Sequence, residues 1–366
     1  MLEKYINEIK PLDENSMGAV QNHLNGLVKP PGSLGELESI AVRLGGISGE
    51  LFYDTSKRCV IIFAADNGVV EEGVSSAPQE VTKIQTENFG KGITGVAVLT
   101  KLFKSDLIVV DVGINGEVKS PGVLNKKIRN GTWNISKEAA MTRDEAVAAV
   151  LNGIDTVVNI YKDGYKLVGV GEMGIGNTTT SAAVLCSLLD ITHSKAAGKG
   201  AGLTEENYRR KLEIIQTALD INKPDSADVI DVLAKVGGFD IAAMAGAYVG
   251  AAYLRLPVVI DGFISIVAAL CATRLNPLTK EFMSASHFSS EQGYRYAQEA
   301  LGIPAPLNLG MRLGEGSGCP LMFALIDSAC AILRDMGTFE QGGIGDEYLE
   351  EVRDADFYVA GHKDEK

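Results

Sequence analysis

The chain has 366 residues, of which 46% are hydrophobic and 22% charged, and its formal net charge is −13. That much apolar side chain excludes a disordered protein, and that much negative charge argues against nucleic acid or an anionic membrane as a partner. The 41 glycines follow no collagen-like period, so they mark tight turns and close backbone approaches.

Residues 1–30 are predicted helical up to the break "KPPGSLG" (Lys29–Gly35), and the charged N-terminus "MLEKYINEIKPLDENS" has no signal-peptide apolar core. Predicted strands follow at "CVIIFAAD" (Cys59–Asp66), "DLIVVDVG" (Asp106–Gly113), "YKLVGVGE" (Tyr165–Glu172) and "LPVVIDGF" (Leu256–Phe263), with Ala/Leu-rich helical stretches between them. Nearly continuous apolar strands alternating with helices predict an α/β fold whose parallel sheet is covered on both faces. Asp66–Asn67, Asp111–Gly113, Gly171–Glu172 and Asp261–Gly262 then sit at strand ends, where open α/β sheets bind ligands. The apolar zone Val232–Thr273 is broken by Lys235, Asp240, Arg255 and Asp261, too often for a membrane span. From Pro320 the pattern "PLMFALIDSACAILRDM" predicts one amphipathic helix. The expected division is a large domain over 31–318 and a small helical one from 1–30 with 319–366.

Five cysteines (Cys59, Cys186, Cys271, Cys319, Cys330) form no C-x-x-C pair, which points to reduced thiols and a cytoplasmic location. His23, His193, His287 and His362 are far apart in the chain, with no metal-ligand spacing, so no metal is expected. His287 reads as a local cap or turn residue. "GEGSG" is not G-x-S-x-G, and there is no Walker A motif.

Two stretches match G-x-G-x-x-G. Gly90, Gly92 and Gly95 follow a helical pattern rather than a strand, against the dinucleotide fingerprint. Gly169, Gly171 and Gly174 do follow a strand, but no second strand delivers an acid to a ribose. The turn "GEMGIGNTTTSAA" (Gly171–Ala183) still suits a phosphate or carboxylate, since free N–H groups and a positive helix end converge there. Asn177 or Thr178 acting as a helix cap would share that geometry. A second glycine turn at Gly198, Gly200 and Gly202 precedes Arg209, Arg210 and Lys211, three adjacent cations that cannot all face one way. Glu315, in "MRLGEGSGCP", has two readings. It is a turn carboxylate capping the next helix, or a general base whose flanking glycines let a flat substrate approach and whose burial raises its pKa toward neutrality.

Taken in order, "KPPGSLGELE", "AADNGVVEEGVS", "VVDVGI", "GVGEMGIGNTTTSAA", "VGGFDIAAMAGA", "LPVVIDGF", "SHFSSEQG" and "MRLGEGSG" resemble the nicotinate-nucleotide:dimethylbenzimidazole phosphoribosyltransferase family, from Lys29 to Gly318. The resemblance implies a Rossmann-like large domain, a small helical domain from both termini, and a homodimer working without metal or cofactor. It implies transfer of 5-phosphoribosyl from nicotinate mononucleotide to 5,6-dimethylbenzimidazole or a related base, giving α-ribazole 5′-phosphate and nicotinate. The family's catalytic glutamate falls on Glu315. Its phosphate and ribose contacts fall on Glu172, Gly174, Gly200, Lys211 and Ser289, and its base pocket on Gln85 and Leu313; Asn177, Thr178 and Asp261 stand beside them. Asn67 replaces a common His, a change expected to touch the mechanism little. Ala77 replaces a common Ser beside the base pocket, which leaves benzimidazole, a hydroxylated relative, a purine or a phenol open as acceptor. Outside this family, the competing classes are a dinucleotide oxidoreductase and a non-catalytic base or nucleotide carrier of the same fold.

Overall fold

A computed structural model describes residues 1–200, 202–345 and Leu349; the part of the expected small domain at 346–348 and 350–366 lies outside them. Six strands, β1 (Arg58–Ala65), β2 (Asp106–Gly113), β3 (Val123–Asn125), β4 (Leu167–Met173), β5 (Val258–Ile260) and β6 (Met283–Ala285), form one sheet in the order β3-β2-β1-β4-β5-β6. Every neighbouring pair is parallel.

Alternation along the strands sends side chains to two separate cores. In β1, Cys59, Ile61, Phe63 and Ala65 face the helices Arg143–Lys162, Phe239–Tyr253 and Phe263–Leu275. Val60, Ile62 and Ala64 face the other way, toward Glu80–Lys91, Gly95–Leu102 and Cys319–Asp335. A period of two and burial on both sides explain why β1 reads as an unbroken apolar run. Its eight residues are all buried, and each large side chain among them contributes about 1.5–3 kcal/mol. The N-terminal segment is two helices, Leu2–Asn7 and Glu14–Asn25, separated around Pro11. Glu14–Asn25 and Glu36–Ser48 share the second core with Cys319–Asp335, so segments from both ends of the chain meet on that side of the sheet.

Two corrections follow. The expected strand Leu256–Phe263 is only Val258–Ile260, because Phe263 already starts a helix. The edge strands β3 and β6 were not expected, since three residues are too few to show a period. The order 3-2-1-4-5-6 puts the reversal of winding between β1 and β4, and a crevice opens there at the carboxyl ends of the strands.

Candidate active site

A cleft of about 390 Å³ opens at that crevice, and Glu172, Asp261, Glu315, Thr178 and Gly200 are on its wall. Glu315 hangs from the segment Gly314-Glu315-Gly316, whose φ angles of 79°, 59° and 72° are all left-handed. Glycines at 314 and 316 take this backbone freely, whereas Glu315 pays about 1 kcal/mol for it. The segment lies directly on β4. A Cβ on Gly171 would run into the backbone of Gly316, and one on Gly169 into the side chain of Cys319. The glycines of the second G-x-G thus make room for the Glu315 loop rather than for a pyrophosphate.

Asp261, just beyond β5, holds this loop from below. Its two oxygens accept the N–H groups of Gly316 (3.0 Å) and Gly318 (2.7 Å). Glu172 accepts the N–H of Glu315 at 3.4 Å. The Glu315 side chain is 7% exposed. One oxygen accepts a hydrogen bond from Gln85 Nε2 at 2.6 Å, and the other, Oε2, has no partner among the described residues. Burial pushes the Glu315 carboxyl up, and the Gln85 hydrogen bond partly offsets this. The following helix has Gly318 at its N-cap with no side-chain cap. The capping reading of Glu315 is therefore wrong.

The other end of the cleft is cationic. The helix Asn177–Leu189 points its N-terminus into it, with Gly176 (not Asn177 or Thr178) at the N-cap. The Lys211 ammonium donates to Thr178 Oγ1 (2.9 Å) and to the carbonyl of Gly198 (3.1 Å). Burial pulls its pKa down to about 8, and the nearby charge of Glu291 partly offsets this. The carboxylate end has the opposite bias. Burial, with neighbouring carboxylates, raises Glu172 to about 8 and Asp261 to about 7. The cleft is thus lined both by carboxyls that burial keeps from ionising readily and by a helix N-terminus with the buried Lys211 behind it.

A sequence profile described as phosphoribosyltransferase matches residues 9–344. The chain belongs to this family. A nicotinate-nucleotide–dimethylbenzimidazole phosphoribosyltransferase of Clostridium perfringens (strain 13 / Type A) is 51% identical, the alignment covering 98% of this chain and 99% of that one. The protein of the same name from Clostridium tetani (strain Massachusetts / E88) is 48% identical over 97% of this chain and 98% of its own length. The crystal structure of CobT from Thermus thermophilus superposes with a TM-score of 0.87 at 37% identity, covering 90% of this chain and 99% of that chain.

In this phosphoribosyltransferase the structure gathers Glu315, Glu172, Gly174, Gly200, Ser289, Ala77, Gln85, Leu313, Asn177, Thr178 and Asp261 around one cleft. Lys211 stands apart from them, fully buried behind Thr178 and Gly200. Arg209 and Arg210 are exposed, so only one of the three adjacent cations turns inward. Gln85 is engaged on both sides, donating to Glu315 and accepting from Asn88 (3.3 Å), so it orients the carboxylate as well as bordering the pocket. Asp111 does not reach the cleft. It accepts the N–H groups of Gly113 and Ile114 and pairs with Lys127 at 3.2 Å, fixing the loop after β2. The glycines at 90, 92 and 95 mark the turn between two helices.

Three residues were missed or underrated. His287 borders the cleft, buried, with Nδ1 2.9 Å from Ser286 Oγ. Asn67 is fully buried between Gly174 and Gly238, so it belongs to the network that supports the site. Asp240 is also fully buried and hydrogen-bonds Asn177. Its signal was present in "GGFDIAAMAGA", one charge in a helix that is otherwise apolar.

Proposed function

We propose that this cleft transfers the 5-phosphoribosyl group of nicotinate mononucleotide to 5,6-dimethylbenzimidazole or a related base, with Glu315 as the proton acceptor. The unpartnered Oε2 of Glu315 carries this assignment: it is a buried carboxylate oxygen to which nothing among the described residues donates, on a residue that lines the cleft.

The donor's phosphate goes to the cationic end, against the helix N-terminus at Asn177, the backbone of Gly200 and the hydroxyls of Thr178 and Ser289. Lys211 holds Thr178 in place and supplies positive charge through it. The pyridinium then lies toward the carboxylates. Its bond to the anomeric carbon breaks with the electron pair returning to the ring nitrogen, so nicotinate leaves without needing an acid. One nitrogen of the acceptor forms the new bond from the opposite face, which inverts β-linkage to α-linkage. The proton on the acceptor's other nitrogen passes to Glu315 Oε2, and the riboside product is left uncharged at its base. Positive charge develops at the anomeric carbon during this step, and the ionised Glu315 carboxylate stabilises it. Holding ring, sugar and ring in line supplies much of the remaining acceleration. Ala77, Gln85 and Leu313 border the place of the acceptor, together with Val81 and Met173.

The test supplies nicotinate mononucleotide with a mixture of benzimidazoles, adenine and p-cresol and identifies the products by mass spectrometry. The expected result is an α-riboside phosphate whose base names the preferred acceptor. Binding without turnover of any acceptor would instead identify a carrier.

The working unit is proposed to be a cytoplasmic homodimer of two-domain subunits, with a large domain over 31–318 and a small one from the terminal segments. All five cysteines are free, in keeping with a reducing compartment. Among the described residues no helix is long and apolar enough to cross a membrane. Val98 and Leu102, one turn apart on the helix Gly95–Leu102, are 56% and 67% exposed, and Ile93 just before them is 66% exposed. Such a stripe favours a subunit contact. Val98→Asp with Leu102→Asp is expected to convert a dimer into a monomer in sedimentation velocity; an unchanged sedimentation coefficient places the contact elsewhere.

A further inference from the structure

Behind the wall of the cleft is a buried carboxyl to which the transfer steps above give no task. Asp240 sits in the first turn of the helix Phe239–Tyr253, with one oxygen accepting the N–H of Ile241 (3.0 Å) and the other the Asn177 amide (2.9 Å). The same amide nitrogen donates to Glu172 Oε2. The opposite oxygen of Glu172 accepts the backbone N–H of Glu315. A continuous path therefore runs from Asp240 through Asn177 and Glu172 to the loop that carries the base.

Two carboxyl groups that share one neutral amide in a water-excluded site cannot both ionise cheaply. Of the groups facing Glu172, only the Asn177 amide and the Glu315 N–H favour its ionised form, and burial outweighs them. From the helix comes Asp240, from the end of β5 Asp261, and from the loop the N–H of Glu315, with that residue's own carboxyl beyond it. His287, farther along the wall, is pushed down by burial. Lys211 feels Glu291 at the other end of the cleft.

We propose that Asp240 is a positioning residue for the transfer, acting through the shared Asn177 amide to keep Glu172 protonated while the cleft works, so that Glu315 alone takes the acceptor's proton. The inference rests on the transfer reading of this cleft. Burial raises both carboxyls, and the charge of Asp240 raises Glu172 further. Ionised Glu172 would repel the carboxylate of the incoming nicotinate ring and make Glu315 harder to deprotonate again. Neutral Glu172 does neither and still accepts the Glu315 N–H.

The test compares pH profiles of kcat/KM for the mononucleotide. In the wild type activity falls through a limb near pH 8, where Glu172 ionises and Lys211 also loses its charge, and in Glu172→Gln only the Lys211 part of that limb remains. In Asp240→Asn, which keeps the shape and removes the charge, the limb moves down by on the order of one pH unit. Asp240→Glu restores the charge and returns the limb toward its original place. A limb that stays put in Asp240→Asn, with activity lowered equally at every pH, would show a merely structural residue and overturn the proposal. A second measurement needs neither substrate nor a folded Asp240 variant. The infrared carbonyl band of protonated carboxyl that Glu172→Gln removes is expected to titrate near pH 8 in unliganded wild type. A midpoint in the ordinary carboxylate range overturns the proposal even if transfer proceeds.

Discussion

Glutamine at position 315 is expected to lower turnover of an N–H acceptor by at least about 10²-fold, within the range that a positioned base supplies. KM for the mononucleotide should change little, because the proposed phosphate site, at Thr178, Gly200 and Ser289, does not include Glu315. Lost folding does not explain such a result. Burial raises the Glu315 carboxyl above its unfolded value, so the folded state holds its proton more tightly than the unfolded chain does. Stability from this group is then undiminished below the unfolded value and is lost as pH rises through the raised one. Glu315→Gln should melt at or above the wild-type temperature at neutral pH, and the difference should close in acid. Glu315→Gly should also be inactive, and it removes the left-handed strain at φ 59°, a gain of about 1 kcal/mol. A variant that loses activity and gains stability is the mark of a residue kept for chemistry. Thermal melting beside single-turnover kinetics checks both halves.

The second large effect is expected at Asp261. Alanine there leaves the N–H groups of Gly316 and Gly318 without acceptors, each costing about 1–3 kcal/mol when buried. Removing a carboxyl that burial has raised to about 7 offsets a comparable amount at neutral pH, so only a small net change in stability is expected. The larger consequence is kinetic. With Gly316 and Gly318 released, the carboxylate of Glu315 is no longer fixed to within a fraction of an ångström, and displacement on that scale costs about 10²-fold. Asp261→Asn keeps one acceptor oxygen and should fall between wild type and alanine on both measures. Urea denaturation and steady-state kinetics distinguish them; equal kinetics for alanine and wild type would remove Asp261 from the support of the base.

Much of this was legible in the sequence because the signals were local. The apolar runs at Cys59–Asp66 and Asp106–Gly113 could only be buried strands, and the acids behind them could only lie at strand ends. The glycine turn before Asn177 and the bare glutamate at 315 stood out in the same way. What was not legible depends on contacts between distant segments. Nothing near Gly169 and Gly171 tells that the loop from 314 to 318 lies upon them. Nothing near Asn177 tells that its amide is spent on two carboxyls rather than on a helix cap. The inward turn of Lys211, between exposed Arg210 and half-buried Leu212, is fixed by Thr178 and Gly198, which precede it by a whole turn and helix. The resemblance carried the chemistry further than the residue pattern did alone, since spacing left Glu315 between a cap and a base until the side chain was seen against Gln85.

The role of Glu315 is tested most directly by an acceptor that has no proton to give. Wild type and Glu315→Gln are each given benzimidazole and 1-methylbenzimidazole with nicotinate mononucleotide, and transfer is timed in single turnovers. If Glu315 removes the N–H proton, the wild-type advantage of at least about 10²-fold with benzimidazole shrinks to a few-fold with the methylated ring. An advantage that is equally large with both acceptors would mean that Glu315 acts on the departing nicotinate or the sugar instead, and would contradict its role as the base.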